Sequence, residues 1–254
     1  MEHSAELRAA LDAAEQAAAI ARTLYQRNVE VRIKADKTPV TEADVRCEIA
    51  IREILEARFP AYGFSGEETG SRDAQAESLW LVDPIDGTKA FVREYPMFST
   101  QIALMRRGEI VLGVSSAPAY GELSFAERGC GAYLNGKRLA VSEIAALDAA
   151  ALSSGNIKSL AAGKQWTRYG ALVARVNRIR GYGDFLHYHL LAGGKIDAVI
   201  ESDVNILDIA ACVAIVTEAG GRFTDLSGAP VTLQTTSVLA TNGRLHAQVL
   251  AALA

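Results

Sequence analysis

The stretch Trp80-Leu81-Val82-Asp83-Pro84-Ile85-Asp86-Gly87-Thr88 constrains the fold of this chain more than any other. Leu79 to Val82 reads as a short apolar strand. That strand runs directly into an aspartate, and a second aspartate follows three residues later. The proline between them is expected to turn the backbone so that both carboxylates converge. Gly87 and Thr88 then open a new segment, whose free N–H groups suit an anion. Converging carboxylates repel unless a cation sits among them, and all-oxygen ligation is what Mg²⁺, Mn²⁺ or Ca²⁺ prefers. A plain turn accounts for this pattern less well than a site does.

Other acids are ambiguous alone. Glu67 and Glu68 follow Gly66 in a loop and read in isolation as solvated charge. Asp208 begins an otherwise apolar helix, where an N-cap is the simpler explanation. No Gly-x-x-x-x-Gly-Lys-Ser/Thr loop is present to cradle a nucleotide phosphate. His187 and His189 lie two apart, which sends them to different faces of a helix, and no zinc pattern includes them. Ser99, Ser153 and Ser154 lack the surroundings of a nucleophilic serine.

The chain changes texture along its length. Leu7, Leu11, Ala14, Ala18, Ala21 and Leu24 mark an amphipathic helix from about Ser4 to Arg27. Thr41-Glu42-Ala43-Asp44 has the form of a capping box opening a second helix, which stops near Pro60. Ser99 to Met105, Ile110 to Ala117 and Glu122 to Ala126 read as an antiparallel meander, punctuated at Arg107-Gly108 and Tyr120-Gly121. Beyond about residue 145, strands and helices alternate. Strands are expected at 149–153, 196–200 and 237–240. Helices are expected at 160–175, 185–192 and 209–219, and at the end of the chain. This gives an α/β protein, an α+β half (1–143) followed by an α/β half (144–254).

Composition narrows the partners. A chain of 254 residues has ample core, and 50% hydrophobic with 22% charged residues is globular. The net charge of −4 argues against a nucleic-acid surface. No run reaches the roughly 18 apolar residues of a membrane span, and the start lacks a signal-peptide pattern. Three separated cysteines, Cys47, Cys130 and Cys212, suit a reducing compartment. The expectation is a cytoplasmic protein that meets small molecules and metal ions.

Taken together the motifs resemble the inositol monophosphatase superfamily of Mg²⁺-dependent, Li⁺-sensitive phosphatases. The likeness covers nearly the whole chain. It rests on Asp36-Lys37-Thr38-Pro39-Val40-Thr41-x-x-Asp44, Gly66-Glu67-Glu68, Asp83 to Thr88 and Gly129-Cys130-Gly131-Ala132. Asp208-x-Ala210-Ala211 leading to Glu218-Ala219-Gly220-Gly221 completes it. The resemblance implies a five-layer αβαβα sandwich, commonly assembled as a homodimer. It implies that Glu67, Asp83, Asp86, Asp208 and the Ile85 carbonyl bind two or three Mg²⁺ ions, with Mn²⁺ possible. It implies further that Asp44, Glu68 and Thr88 orient and activate the attacking water. Gly87 and Thr88 match the phosphate-binding helix start. The family commonly has Trp where this chain has Leu207, which changes a pocket wall.

Substrate choice in the family lies in the second half. Gly183-Asp184 followed by Tyr188, with Glu201 and Asp203, is similar to the bacterial histidinol-phosphate phosphatases. Acids at Asp184, Glu201 and Asp203 suit a small phosphate ester carrying a cationic amine and an imidazole. Glu201 suits an inositol hydroxyl equally well, and Asp184 reads as readily as a helix N-cap. Lys89 and Arg93 leave a 3′(2′),5′-bisphosphate nucleotide open. A metal-binding regulator that reuses the fold is the remaining alternative.

Overall fold

A computed structural model of the protein describes residues 3–27, 31–33 and 39–254. Asp36, Lys37 and Thr38 of the first motif lie outside them. Helix α1 (Ala5–Leu24) is capped by Ser4, whose hydroxyl accepts from the Leu7 N–H at 3.0 Å. Strands β1 (Val31–Ile33) and β2 (Pro39–Thr41) pair antiparallel ahead of helix α2 (Glu42–Arg58). The buried face of α1 is almost all alanine, so α2 packs close. Cys47 Sγ lies 3.4 Å from the Ala17 carbonyl oxygen.

The first sheet is built from β3 (Gly63–Gly66), β4 (Ser71–Arg72), β5 (Ser78–Asp86), β6 (Ser99–Arg106), β7 (Glu109–Ala117), β8 (Glu122–Glu127), β9 (Gly131–Leu134) and β10 (Lys137–Arg138). Its order is β10-β9-β8-β7-β6-β5-β3-β4. Only the β3–β5 pair is parallel. A short helix, α3 (Thr88–Val92), follows β5.

The second half contributes β11 (Ala151–Ser154), α4 (Lys158–Ala162), α5 (Trp166–Val173), β12 (Arg178–Arg180) and α6 (Asp184–Ala192). It continues with β13 (Ala198–Ser202), α7 (Ile206–Glu218), β14 (Arg222–Thr224), β15 (Ser237–Thr241) and α8 (His246–Leu253). Its five-stranded sheet has the order β12-β11-β13-β15-β14.

Strand alternation sets the layers, because successive side chains leave opposite faces. Trp80, Val82, Ile102 and Leu104 of the first sheet face α1 and α2. Leu79, Leu81, Ala103 and Met105 face α6 and α7. On their other side these two helices cover Val199, Val238 and Ala240 of the second sheet. Its outer face, with Ala198, Ile200 and Leu239, is covered by α5 and α8. The result is the αβαβα sandwich. The first sheet ends at Arg138 and the second begins at Ala151. One core nevertheless spans the 1–143 and 144–254 halves, since α6 and α7 pack on the first sheet. Glu218 ties them further by accepting from the Gly129 and Gly131 N–H groups at 3.0 and 2.9 Å.

Several elements differ from expectation. The helix expected over 160–175 is two helices, because Gly163 adopts an extended conformation between them. The strand expected at 196–200 begins two residues later, at Ala198. Strands β3, β4, β9, β12 and β14 carry no apolar run of their own and form through pairing with neighbours.

Gly113 of β7 lies directly against α7. A Cβ there would lie 2.5 Å from the Ala211 carbonyl oxygen. Gly113→Ala is expected to cost about 1–3 kcal/mol, as overpacked cores do. The check is the urea midpoint; an unchanged value would contradict this contact.

Candidate active site

Strand β5 continues past Val82 to Asp86, with a register shift against β6 between Asp83 and Asp86. Pro84 therefore sits in a strand bulge rather than in the turn expected from sequence. Bulges re-aim side chains, and proline is tolerated there. Alternation from Leu79 and Leu81 sends Asp83 toward α7. Asp83 Oδ1 accepts from the Ile85 N–H at 3.0 Å. Helix α7 brings Asp208, whose Oδ2 accepts from the Asn205 N–H at 3.0 Å as part of a capping box. Asp208 is thus both a cap and a member of the cluster. Carboxylate oxygens of Asp83, Asp86 and Asp208 lie within 4.8 Å of one another. Glu67 acts on Asp83 both by hydrogen bonding and by charge.

A second capping box fixes Asp44 beside Thr88. Asp44 is fully buried, and its Oδ2 accepts from the Thr41 N–H and hydroxyl at 2.8 and 2.6 Å. Its Oδ1 lies 2.9 Å from Thr88 Oγ1, which is also 3.1 Å from the Ile85 carbonyl oxygen. Gly87 precedes Thr88 with φ +91°, and a Cβ there would meet the Met97 carbonyl oxygen at 2.4 Å. Only glycine suits that start to α3.

Glu48 was not singled out from sequence, although an acid on the apolar face with Cys47, Ile51 and Leu55 is a signal. It is fully buried. Its carboxylate accepts from the Glu68 N–H at 2.7 Å, and from the Thr69 N–H and hydroxyl at 2.6 and 2.5 Å. A Cβ on Gly66 would lie 2.3 Å from Glu48 Oε1. Gly66 therefore lets a buried carboxylate hold the turn that presents Glu67 and Glu68.

The second half adds two acids. Asp184 begins α6 with φ +46°, after Gly183 at φ +73°. Glu201 is buried in β13; its Oε2 accepts from Tyr188 Oη at 2.7 Å and its Oε1 from the Asn156 N–H at 3.0 Å. His187 Nε2 lies 3.2 Å from Glu201 Oε2, out of line for a hydrogen bond. The charges of Asp184 and Glu201 both act on Asp86. Asp203 stands apart. It is exposed, and its carboxylate is engaged by the Ser159 N–H at 2.8 Å, the Ser159 hydroxyl and the Ser202 hydroxyl. Sequence proximity to Glu201 suggested a shared role, but Asp203 has left the strand at φ +60°. Lys89 and Arg93 are exposed.

Withdrawal from water pushes Asp83 and Asp86 well above the usual carboxylate range, and the acids around each add to the shift. Burial likewise lifts Asp208 to about 6. It lifts Asp184 to about 6 as well, with the charge of Glu201 adding to the effect. The charges acting most strongly on Asp83 and Asp86 are those of other acids. An all-oxygen cluster of this kind fits a hard divalent cation.

Fold and site together define a phosphomonoester hydrolase built around an acidic cluster. The chain belongs to the inositol monophosphatase family, whose sequence profile matches residues 3–254. It is 39% identical over 251 residues to a histidinol-phosphatase of Mycobacterium tuberculosis, covering 96% of each chain. It is 36% identical to an inositol-1-monophosphatase of Rhizobium meliloti, over 85% of this chain and 83% of that one. The crystal structure of the extragenic suppressor protein suhB from Bartonella henselae superposes with a TM-score of 0.90 at 31% identity, covering 98% of both chains. Among the described residues no helix is long and apolar enough to cross a membrane.

The raised acids make a prediction for the metal-free protein. Asp184 and Asp208 hold protons more tightly when folded than when unfolded. Their stabilising contribution is therefore complete below about pH 4 and is lost as pH rises through about 6. In chelator, Asp208→Asn is expected to flatten the fall in Tm between about pH 4 and 6.5. Parallel profiles for the two proteins would show that Asp208 carries no such shift.

Proposed function

We propose that this protein is a Mg²⁺-dependent phosphatase whose substrate is histidinol phosphate. The observation that carries the substrate assignment is the convergence of Asp184 and Glu201 on Asp86. Two acids beside the cluster suit an ester whose organic part is cationic, since ionic hydrogen bonds are the strong ones. Glu201 is held by Tyr188 and Asn156 and acts as a fixed negative charge. Asp184 is the direct partner for the substrate amine. The relative from Mycobacterium tuberculosis supports the same reading.

Glu67, Asp83, Asp86, Asp208 and the Ile85 carbonyl are the groups that would hold two or three Mg²⁺ ions, with Mn²⁺ the other candidate. When bound, such ions supply positive charge for the phosphate oxygens and acidify a water ligand. The protein's own residues do the rest. Thr88 gives its hydroxyl hydrogen to Asp44 Oδ1, which leaves Thr88 Oγ1 free to accept from the attacking water. Asp44 orients that hydroxyl and receives the proton through it, and Glu68 is the second candidate base. The N–H groups of Gly87 and Thr88 are the proposed phosphate donors. The free thiols of Cys47, Cys130 and Cys212 support a cytoplasmic setting.

Phosphate release in Mg²⁺ tests the assignment, with L-histidinol phosphate, inositol 1-phosphate and 3′-phosphoadenosine-5′-phosphate compared by kcat/KM. Histidinol phosphate is expected to lead. Preference for either other ester would keep the chemistry and reject the acidic-pocket reading, and no turnover of any would favour a regulator. Asp83→Asn is expected to abolish Mg²⁺-dependent turnover; retained turnover would reject the metal assignment. Asp184→Ser is expected to lower kcat/KM for histidinol phosphate about 10–100-fold, the worth of one hydrogen bond to a charged group, and to leave inositol 1-phosphate nearly unchanged.

A further inference from the structure

The face of the first sheet that meets α6 and α7 changes character along its strands. Ala103 and Met105 of β6 are apolar, but Gln101 and Ser99, on the same face, are polar and almost wholly buried. Gln101 pairs in register with Asp83 on one side and with Ser115 on the other, and Ser99 pairs with Asp86. Six side-chain contacts link these residues to one another and onward to α6, α7 and β8. None of Gln101, Ser115, His189 and Cys212 has a place in the mechanism above.

The proton positions follow from counting donors and acceptors. Gln101 Oε1 faces Cys212 Sγ at 3.8 Å, so it accepts from the thiol. Gln101 Nε2 therefore donates, to Ser99 Oγ at 2.7 Å and to Ser115 Oγ at 3.0 Å. The Ser99 hydroxyl hydrogen is then directed at Asp86 Oδ2, 3.3 Å away. Ser115 is fully buried, and its remaining partner is His189 Nε2 at 2.9 Å. Ser115 must donate there, so Nε2 accepts and the ring proton sits on Nδ1. That nitrogen faces Glu122 Oε2 at 2.8 Å. Reversing any one bond strands a buried donor or acceptor, which costs about 1–3 kcal/mol.

We propose that Gln101 is a positioning residue for the metal site, the source of a hydrogen-bond relay running to Asp86 in one direction and through Ser115 and His189 to Glu122 in the other. The proposal rests on the reading of Asp86 as a metal ligand. One end of the relay holds Asp86 Oδ2 and leaves the other carboxylate oxygen to face a cation. The other end holds α6 at His189, five residues after Asp184. Gln101 thereby sets both the carboxylate that meets the metal and the helix that presents the substrate acid. Such outer partners of metal ligands tune affinity by about 10–100-fold.

Two measurements test this. NMR of the ¹⁵N-histidine-labelled protein at pH 7.5, with His189 assigned by the His189→Gln variant, is expected to show a His189 ring protonated at Nδ1 only. A proton on Nε2 would overturn the relay without any need for a variant to fold. Mn²⁺ binding, followed by the EPR signal of free Mn²⁺, is expected to weaken about 10–100-fold in Gln101→Met. Ser99→Ala is expected to weaken Mn²⁺ binding in the same direction while leaving the His189 tautomer unchanged. At saturating metal, kcat in Gln101→Met should return to within about twofold of wild type while KM rises, a split that a general loss of structure would not give. Loss of Mn²⁺ binding in Asp86→Asn but not in Gln101→Met overturns the relay and leaves the metal assignment standing. Unchanged binding in both variants overturns the metal assignment on which the relay depends.

Discussion

Mutual repulsion among carboxylates withdrawn from water is the constraint around which this structure is arranged. Asp83, Asp86 and Asp208 bring oxygens within 4.8 Å of one another, and Glu67, Asp184 and Glu201 add their charges. Left to themselves these groups would separate or neutralise. They stay together because they are mounted on five different elements of a packed sandwich. The acids come from the end of β5, the first turn of α7, the turn after β3, the start of α6 and the body of β13. Gly113 lets α7 lie against β7, and Glu218 fastens the far end of α7 to the Gly129–Gly131 turn.

The acids are oriented by ordinary folding devices put to a second use. Asp44 and Asp208 each occupy the third position of a capping box. One oxygen of each ends a helix, and the other is left for the site. A capping acid costs little to hold in one rotamer, because the helix needs it there in any case. Glu48 serves the Glu67–Glu68 turn similarly, supplying from inside the fold the acceptors that three donors of the turn require. Preorganisation of this kind is what a site needs if its geometry is to be held within a fraction of an ångström.

The second half reaches the cluster through α6. Its first residue, Asp184, faces the site, and its later residues anchor it: Tyr188 on Glu201, and His189 between Ser115 and Glu122. Helix α6 is therefore joined to the sheet that carries Asp83 and Asp86 by buried polar contacts, not by apolar packing alone. Polar contacts specify register, since a small slip leaves several of them unmade.

Sequence alone determined the local devices: caps, apolar runs and the positions of the motif acids. The capping box at Thr41–Asp44, the strand running into Asp83 and the apolar helix after Asp208 were legible because caps, periodicity and apolar runs are local. The family motifs placed the acids on the chain: Asp83, Asp86 and Asp208 meet in the cluster, and the charges of Glu67, Asp184 and Glu201 act on it. Tertiary structure decided what local pattern cannot encode. Pro84 makes a bulge, not a turn, because β6 pairs on both sides of it. Asp203 turns to Ser159, while Glu201, two residues earlier, stays buried beside Tyr188. Glu48 and His189 gain their roles from partners at least 20 residues away in the chain, such as Glu68 and Ser115, and the orientation of Gln101 depends on Cys212, 111 residues on. The physical reason is that a buried polar group is defined by what satisfies it, and its partners are chosen when the layers close on one another.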